Sequence, residues 1–196
     1  MKALIIVDVQ NDFLPGGSLE VSRGDEIIPI INHIQKDYNL VVATQDWHPE
    51  NHKSFASQHP EKLPFEQIDL DGLEQILWPD HCIQGSYGAE FADELNTDRI
   101  EAIFRKGMEE RIDSYSGFFD NGKRKDTGLS GYLKARGVTE VHVCGLAADF
   151  CVYFTALDAL TEGFKTSIIS KATKAIDKGA FIEKKNNFIQ NGGLLT

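Results

Sequence analysis

The chain has 196 residues, a length that fits one domain spanning residues 1–196 and allows a real core without staples. Its formal net charge of −10 is dispersed along the sequence, which excludes the basic footprint of a general nucleic-acid binder and gives no acidic tail. No stretch approaches the roughly 18 apolar residues of a membrane span, and the apolar run after Met1-Lys2 stops at Asp8, too short for a secretory signal, so a soluble, cytoplasmic protein is expected.

Ala3 to Val7 is a continuous, mostly β-branched apolar run, read as a fully buried strand. Asp25 to Tyr38 carries Ile27, Ile31 and Ile34 at helical spacing, with Pro29 tolerated near the helix start. Leu40 to Thr44 and Ile100 to Arg105 are a second and third strand. Leu129 to Arg136 is a short helix closed by Gly137. Glu140 to Cys144 is a fourth strand, followed by a helix from Cys151 to Glu162 that ends at Gly163. Thr166 to Ser170 is a fifth strand, and Ala175 to Gln190 is an amphipathic helix stopped by Gly192-Gly193. Buried strands alternating with helices predict an α/β fold: a mostly parallel sheet flanked by helices on both faces. Two long irregular stretches, about 45–87 and 107–126, interrupt the pattern, and such loops are more often functional than idle.

Ligands of open α/β sheets bind at the carboxyl ends of the strands, so the residues there carry the chemistry. Asp8 follows the first strand, Asp46 and His48 the second, Lys106 the third, and the segment Gly145 to Cys151 the fourth. Asp8 is either a turn cap or, with a thiol nearby, a general base. Lys106 is either a surface lysine or an ammonium held beside an anion such as a thiolate, with Gly107 allowing close backbone packing. Cys151 is either a buried structural cysteine or a nucleophile. Its place at the start of a predicted helix would lower its pKa and supply N–H donors for an oxyanion. Cys144, inside a strand, reads as core. Low in number and odd, the three cysteines Cys82, Cys144 and Cys151 do not suggest a disulfide framework.

Asp46 and His48, two residues apart at a strand end, share a face and could chelate one cation together with His81 from the WPDHC segment. His52 is a fourth ligand or a hydrogen-bonding neighbour. His33 reads as an ordinary helix histidine, and His59 and His142 carry no motif. Phe13, Trp78 and Tyr115 lie in loops beyond strand ends, where they pack the loops or face a flat substrate.

Five segments together, VDVQNDFLPGGSL, TQDWHPENHKSF, WPDHCIQGSYGAEF, FRKG with DSYSGFFDN, and CGLAADFCV, resemble the nicotinamidase/pyrazinamidase group of isochorismatase-like cysteine hydrolases, over nearly the whole chain. The resemblance implies a catalytic triad of Asp8, Lys106 and Cys151, and a zinc or iron ion, one divalent metal, on Asp46, His48 and His81, with His52 a ligand in some members only. It further implies a cis Leu146-Ala147 bond, an oxyanion hole from the Ala147 and Cys151 N–H groups, a pocket lined by Phe13 and Trp78, and frequent homo-oligomers. Hydrolysis of nicotinamide to nicotinate and ammonia, with pyrazinamide as a surrogate, in NAD salvage is the activity it implies. Isochorismate or carbamoyl hydrolysis, a non-catalytic binding scaffold, and a Cys144–Cys151 redox pair are the competing readings. Isochorismate hydrolysis needs no thiol, a scaffold would be marked by a missing triad member, and a redox pair needs Cα atoms within roughly 7 Å. One departure from the family is Lys171, where members commonly carry an acidic residue, which leaves the local loop structure open.

Overall fold

The computed structural model describes residues 1–196. Six strands form one parallel sheet: β1 (Lys2–Val7), β2 (Leu40–Asp46), β5 (Ile100–Lys106), β6 (Glu140–Leu146), β7 (Lys165–Lys174) and the short β8 (Leu194–Leu195). Their order across the sheet is β5-β2-β1-β6-β7-β8. A separate antiparallel pair, β3 (Gln67–Leu70) and β4 (Leu73–Ile76), lies inside the stretch expected to be irregular.

β1 and β2 are buried on both faces, which is why their sequences are apolar runs rather than alternations. At the edge, β5 alternates: Glu101, Ile103 and Arg105 are exposed while the residues between them turn inward. The helix α1 (Ile28–Ile34) covers one face, packing Ile28, Ile31 and Ile34 with Leu4, Ile6 and Val41. The opposite face is covered by α2 (Leu129–Ala135), α3 (Tyr153–Thr161) and α4 (Lys178–Gln190), whose Leu133, Ala156 and Phe188 meet Ile5, Val143 and Ile168. No helix is long and apolar enough to cross a membrane.

Several expected boundaries move. The helical segment 25–38 is an α-helix only over Ile28–Ile34, with tighter 3₁₀ turns at Gly24–Ile27 and Gln35–Asp37; Pro29 sits in its first turn, where a missing N–H does no harm. The expected final helix starts later than Ala175, at Lys178, because β7 runs on to Lys174 and Asp177 caps the helix by accepting from the Gly179 and Ala180 N–H groups at 2.7 and 3.1 Å. Lys171 lies exposed within β7, where the pairing with β6 slips: Val143 faces Ile168 but Gly145 faces Thr173.

The chain leaves β1 for β2 and β5 on one side and returns to place β6 on the other. That reversal opens a crevice beyond the carboxyl ends of β1 and β6. Gly145 makes the approach possible: its φ is +114°, and a Cβ there would stand 2.0 Å from the Val7 carbonyl oxygen.

Candidate active site

Asp8, directly after β1, has φ +47° and is fully buried. Its Oδ1 accepts a 2.6 Å hydrogen bond from the Thr44 hydroxyl on β2. Its Oδ2 stands 2.9 Å from the Lys106 ammonium but receives no well-directed hydrogen bond. The three protons of the ammonium are spent elsewhere: on Asp46 Oδ1 at 2.5 Å, on the Ser114 carbonyl at 2.9 Å, and on Cys151 Sγ at 3.4 Å. Asp8 Oδ2 therefore keeps a lone pair for a proton. The Cys151 sulfur and a carboxylate oxygen from each of Asp8 and Asp46 all lie within 4.8 Å of one another.

Burial raises the pKa of Asp8 against the pull of Lys106, and the Asp46 charge adds to the rise. Burial works the same way on Asp46, but there Lys106 and the His48 and His81 imidazoles outweigh it, and its carboxyl is held far below the usual range. Lys106, which burial would neutralise, is held well above its ordinary value by Asp46, Asp8 and Cys151. The two carboxylates around one ammonium are thus driven apart, the pattern that separates a proton carrier from a permanent anion.

Cys151 differs from expectation. It lies fourth in a widened, π-type turn, Ala148–Val152, that precedes α3, rather than at the first residue of the helix; the Ala147 carbonyl accepts from both Phe150 N–H and Val152 N–H at 3.1 Å. Burial pushes its thiol up by more than Lys106 pulls it down, with Asp8 and Asp46 adding to the rise. The Leu146-Ala147 peptide is cis, and the Ala147 N–H donates no hydrogen bond within the chain. Cys144 packs in the core on the α1 side and Cys151 in the core on the α3 side, and all three cysteines are free.

Asp46 Oδ2 faces two imidazoles, His48 Nε2 at 3.6 Å and His81 Nε2 at 3.8 Å. Each ring fixes its other nitrogen on a backbone carbonyl, His48 Nδ1 on Gly107 and His81 Nδ1 on Pro79, both at 2.8 Å. That turns both Nε2 atoms toward the carboxylate; His48 Nε2 is buried with no hydrogen-bond partner, and the Asp46 charge raises the His48 pKa against the effect of burial. Burial, with His48 adding to it, holds His81 down at a pKa of about 4, so it is a neutral donor. Donor atoms about 2.1 Å from one ion stand roughly 3–4 Å apart, so this set fits a divalent metal. His52 is not part of it: Nδ1 is bonded to Ser54 and Nε2 faces the Ile112 carbonyl at 3.3 Å. It groups instead with His48 and Asp113.

Phe13, Trp78 and Tyr115 line one pocket with Asp46, His81, Ala147 and Cys151. The same pocket is lined by residues the sequence reading passed over: Leu19, Asp113, Phe150 and Ile176. Phe150 stands edge-on to Trp78, with centroids 4.9 Å apart, and Tyr115 is 5.4 Å from it, so three rings form one wall. The signal for Phe150 and Asp113 was their place inside the CGLAADFC and DSYSGFFDN segments. Leu19 and Ile176 carried none.

Residues 2–190 match the isochorismatase domain. The chain belongs to the isochorismatase family. Among its relatives, the nicotinamidase of Acinetobacter baylyi is 48% identical over 181 residues, 92% of this chain and 85% of that protein. Among solved structures, an Acinetobacter baumannii nicotinamidase/pyrazinamidase superposes with a TM-score of 0.97 at 51% identity, covering 99% of this chain and 94% of that one. The pyrazinamidase of Pyrococcus horikoshii, solved in complex with zinc, does so with a TM-score of 0.81 at 37% identity, over 100% and 98% of the two chains. In this isochorismatase-family member the pocket is lined by the Cys151 thiol, the Asp46 and Asp113 carboxylates and the His81 imidazole among its aromatic rings, and Lys106, Asp8 and His48 stand next to that lining.

Proposed function

We propose that the protein hydrolyses the carboxamide of nicotinamide, giving nicotinate and ammonia through a thioester on Cys151, and that it accepts pyrazinamide as a surrogate. The reading rests above all on one observation: the Cys151 thiol, the free lone pair of Asp8 and the Lys106 ammonium meet at the end of an aromatic pocket that is also lined by Asp46 and His81, with His48 behind them against Asp46. The 48% identity to a protein named nicotinamidase supports the same substrate.

The ring of the substrate lies among Phe13, Trp78, Tyr115 and Phe150, with its carboxamide toward Cys151. Asp8 takes the thiol proton, and the N–H of Lys106 aimed at Sγ stabilises the thiolate as it forms. The sulfur attacks the carbonyl carbon; the oxyanion is held by the Ala147 and Cys151 N–H groups. Asp8 passes its proton to the departing nitrogen, so ammonia leaves and a thioester remains. Asp8 then takes a proton from water, which attacks the thioester; nicotinate leaves and Cys151 recovers its proton. A zinc or iron ion on Asp46, His48 and His81 would supply a fixed positive charge and a Lewis-acid site for a ring nitrogen.

Ammonia release from nicotinamide by the purified protein tests the reading. Cys151→Ala is expected to abolish release while leaving nicotinamide binding within a few-fold, and metal stripping should lower release reversibly. Turnover by the Cys151→Ala variant would overturn the thioester route.

A further inference from the structure

Three carboxylates line or border the pocket, and two of them, Asp8 and Asp46, share the Lys106 ammonium. The third, Asp113, makes no ion pair with a lysine or arginine; the titratable groups beside it are the His48 and His52 imidazoles. It is 4% exposed, its Oδ1 accepts from the Ser114 N–H at 2.7 Å, and its Oδ2 accepts from Gln75 Nε2 at 3.1 Å. Both donors are neutral. Burying a carboxylate on neutral donors alone is unfavourable, so an aspartate kept there calls for a reason other than stability. Nor is its position incidental: Gln75, itself buried on β4, also reaches the Tyr115 hydroxyl at 3.3 Å, tying the carboxylate to the aromatic wall.

We propose that Asp113 sets the preference of the pocket for a neutral amide over an anionic acid, and so speeds release of the product. This rests on the hydrolysis proposed above, in which a neutral ligand becomes an anion without leaving the pocket. A fixed negative charge in a poorly screened cavity disfavours the anion and leaves the amide nearly untouched. The pocket needs such a charge, because Lys106 and a bound divalent ion would otherwise favour the acid and retain it. Release of product limits turnover in many enzymes, so weaker binding of the acid acts directly on kcat.

The competing role is support of the cation, since donor atoms of Asp113, His48 and His52 lie within 4.8 Å of one another. Against it, both nitrogens of His52 are already engaged by Ser54 and the Ile112 carbonyl.

The test uses full-length protein carrying Cys151→Ala, which binds without turning over, with metal content measured alongside. Calorimetry gives Kd for nicotinamide and for nicotinate with Asp113 and with Asp113→Asn. Nicotinate is expected to tighten on the order of tenfold, the size of one unscreened charge removed from a pocket, while nicotinamide moves less than about threefold. In the active enzyme the inhibition constant of nicotinate falls in parallel. Equal shifts for the two ligands, or loss of metal with their ratio unchanged, overturn the proposal. Asp113→Ser removes the same charge and replaces the asparagine variant if that one does not fold. Failure of the Cys151→Ala protein with Asp113 intact to bind nicotinamide at all would instead overturn the hydrolysis reading.

Discussion

Gly107→Ala tests whether His48 is held in place by the backbone that follows β5. The glycine has φ +66°, and an added Cβ would stand 2.3 Å from His48 Cε1 and 2.6 Å from its Nδ1. Left-handed backbone costs a non-glycine residue about 1–2 kcal/mol, and overpacking a buried site typically adds about 1–3 kcal/mol. The imidazole cannot move aside freely, because Phe55 and His81 stand edge-on at 5.5 and 4.9 Å and His52 lies 4.5 Å away. The expected loss of about 2–5 kcal/mol leaves a folded protein, given the usual net stability of roughly 5–15 kcal/mol. A second effect falls on the metal. Gly107 also provides the carbonyl that fixes His48 Nδ1, and disturbing such a partner commonly weakens metal affinity about 10–100-fold. Thermal unfolding with and without zinc, and a metal titration under competition by a chelator, measure both terms. Wild-type metal affinity in a variant of lowered stability would refute the account of His48, and unchanged stability would refute the steric argument as well.

Thr44→Val removes the hydroxyl whose hydrogen bond favours the ionised form of Asp8. The Asp8 pKa, already raised by burial, then rises further, and the acid limb of the kcat/KM profile moves to higher pH; an unmoved limb would mean that Asp8 is not the titrating base. The same sign carries over to stability: an acid whose folded pKa is raised stabilises most below its unfolded value, and that share is lost as pH rises through the folded value. For Thr44→Val the stability deficit relative to wild type is therefore greater at pH 7 than at pH 3, as chemical unfolding would report. Asp149→Asn tests the clamp behind the turn that carries Cys151, where the carboxylate accepts from the Ile176 N–H at 3.0 Å and the Asp177 N–H at 2.8 Å. An amide serves only one of them, so a loss of about 1–3 kcal/mol in unfolding is expected, with a rise in KM as Ile176 loosens in the pocket; unchanged unfolding and KM would show that the clamp is not needed.

The sheet was legible because its strands are buried on both faces, and an apolar run such as Ala3 to Val7 has few other ways to be satisfied. The convergence of the candidate site residues was legible for a related reason. A parallel sheet delivers every strand end to one edge, so Asp8, Asp46, Lys106 and the Cys151 turn had to converge once the strands were placed. Less legible was whatever depends on the loops folding over that edge. β3 and β4 are hard to read from the sequence because their exposed residues are polar and the alternation is short. Yet the Asp71-Gly72 turn between them, with φ of +53° and +82°, is the two-residue hairpin turn that such a dipeptide favours, and the sequence displays it openly.

Gln75 shows what that omission hides. It sits on β4, some thirty residues from any strand end of the main sheet, and reaches both Asp113 and the Tyr115 hydroxyl. No spacing rule connects it to the pocket, since the contact exists only after the 67–76 hairpin and the 107–126 loop have both settled. The direction of the Cys151 shift is hidden in the same way. A helix start and a neighbouring lysine both argue for a lowered thiol pKa; the lysine is present, while Cys151 lies in a π-type turn ahead of α3. Burial by Val152, Tyr153 and the surrounding core decides the other way, and its extent is a property of the folded whole. In the proposed reaction a proton passes between Cys151 and Asp8 in both halves, and the raised pKa of each suits that exchange.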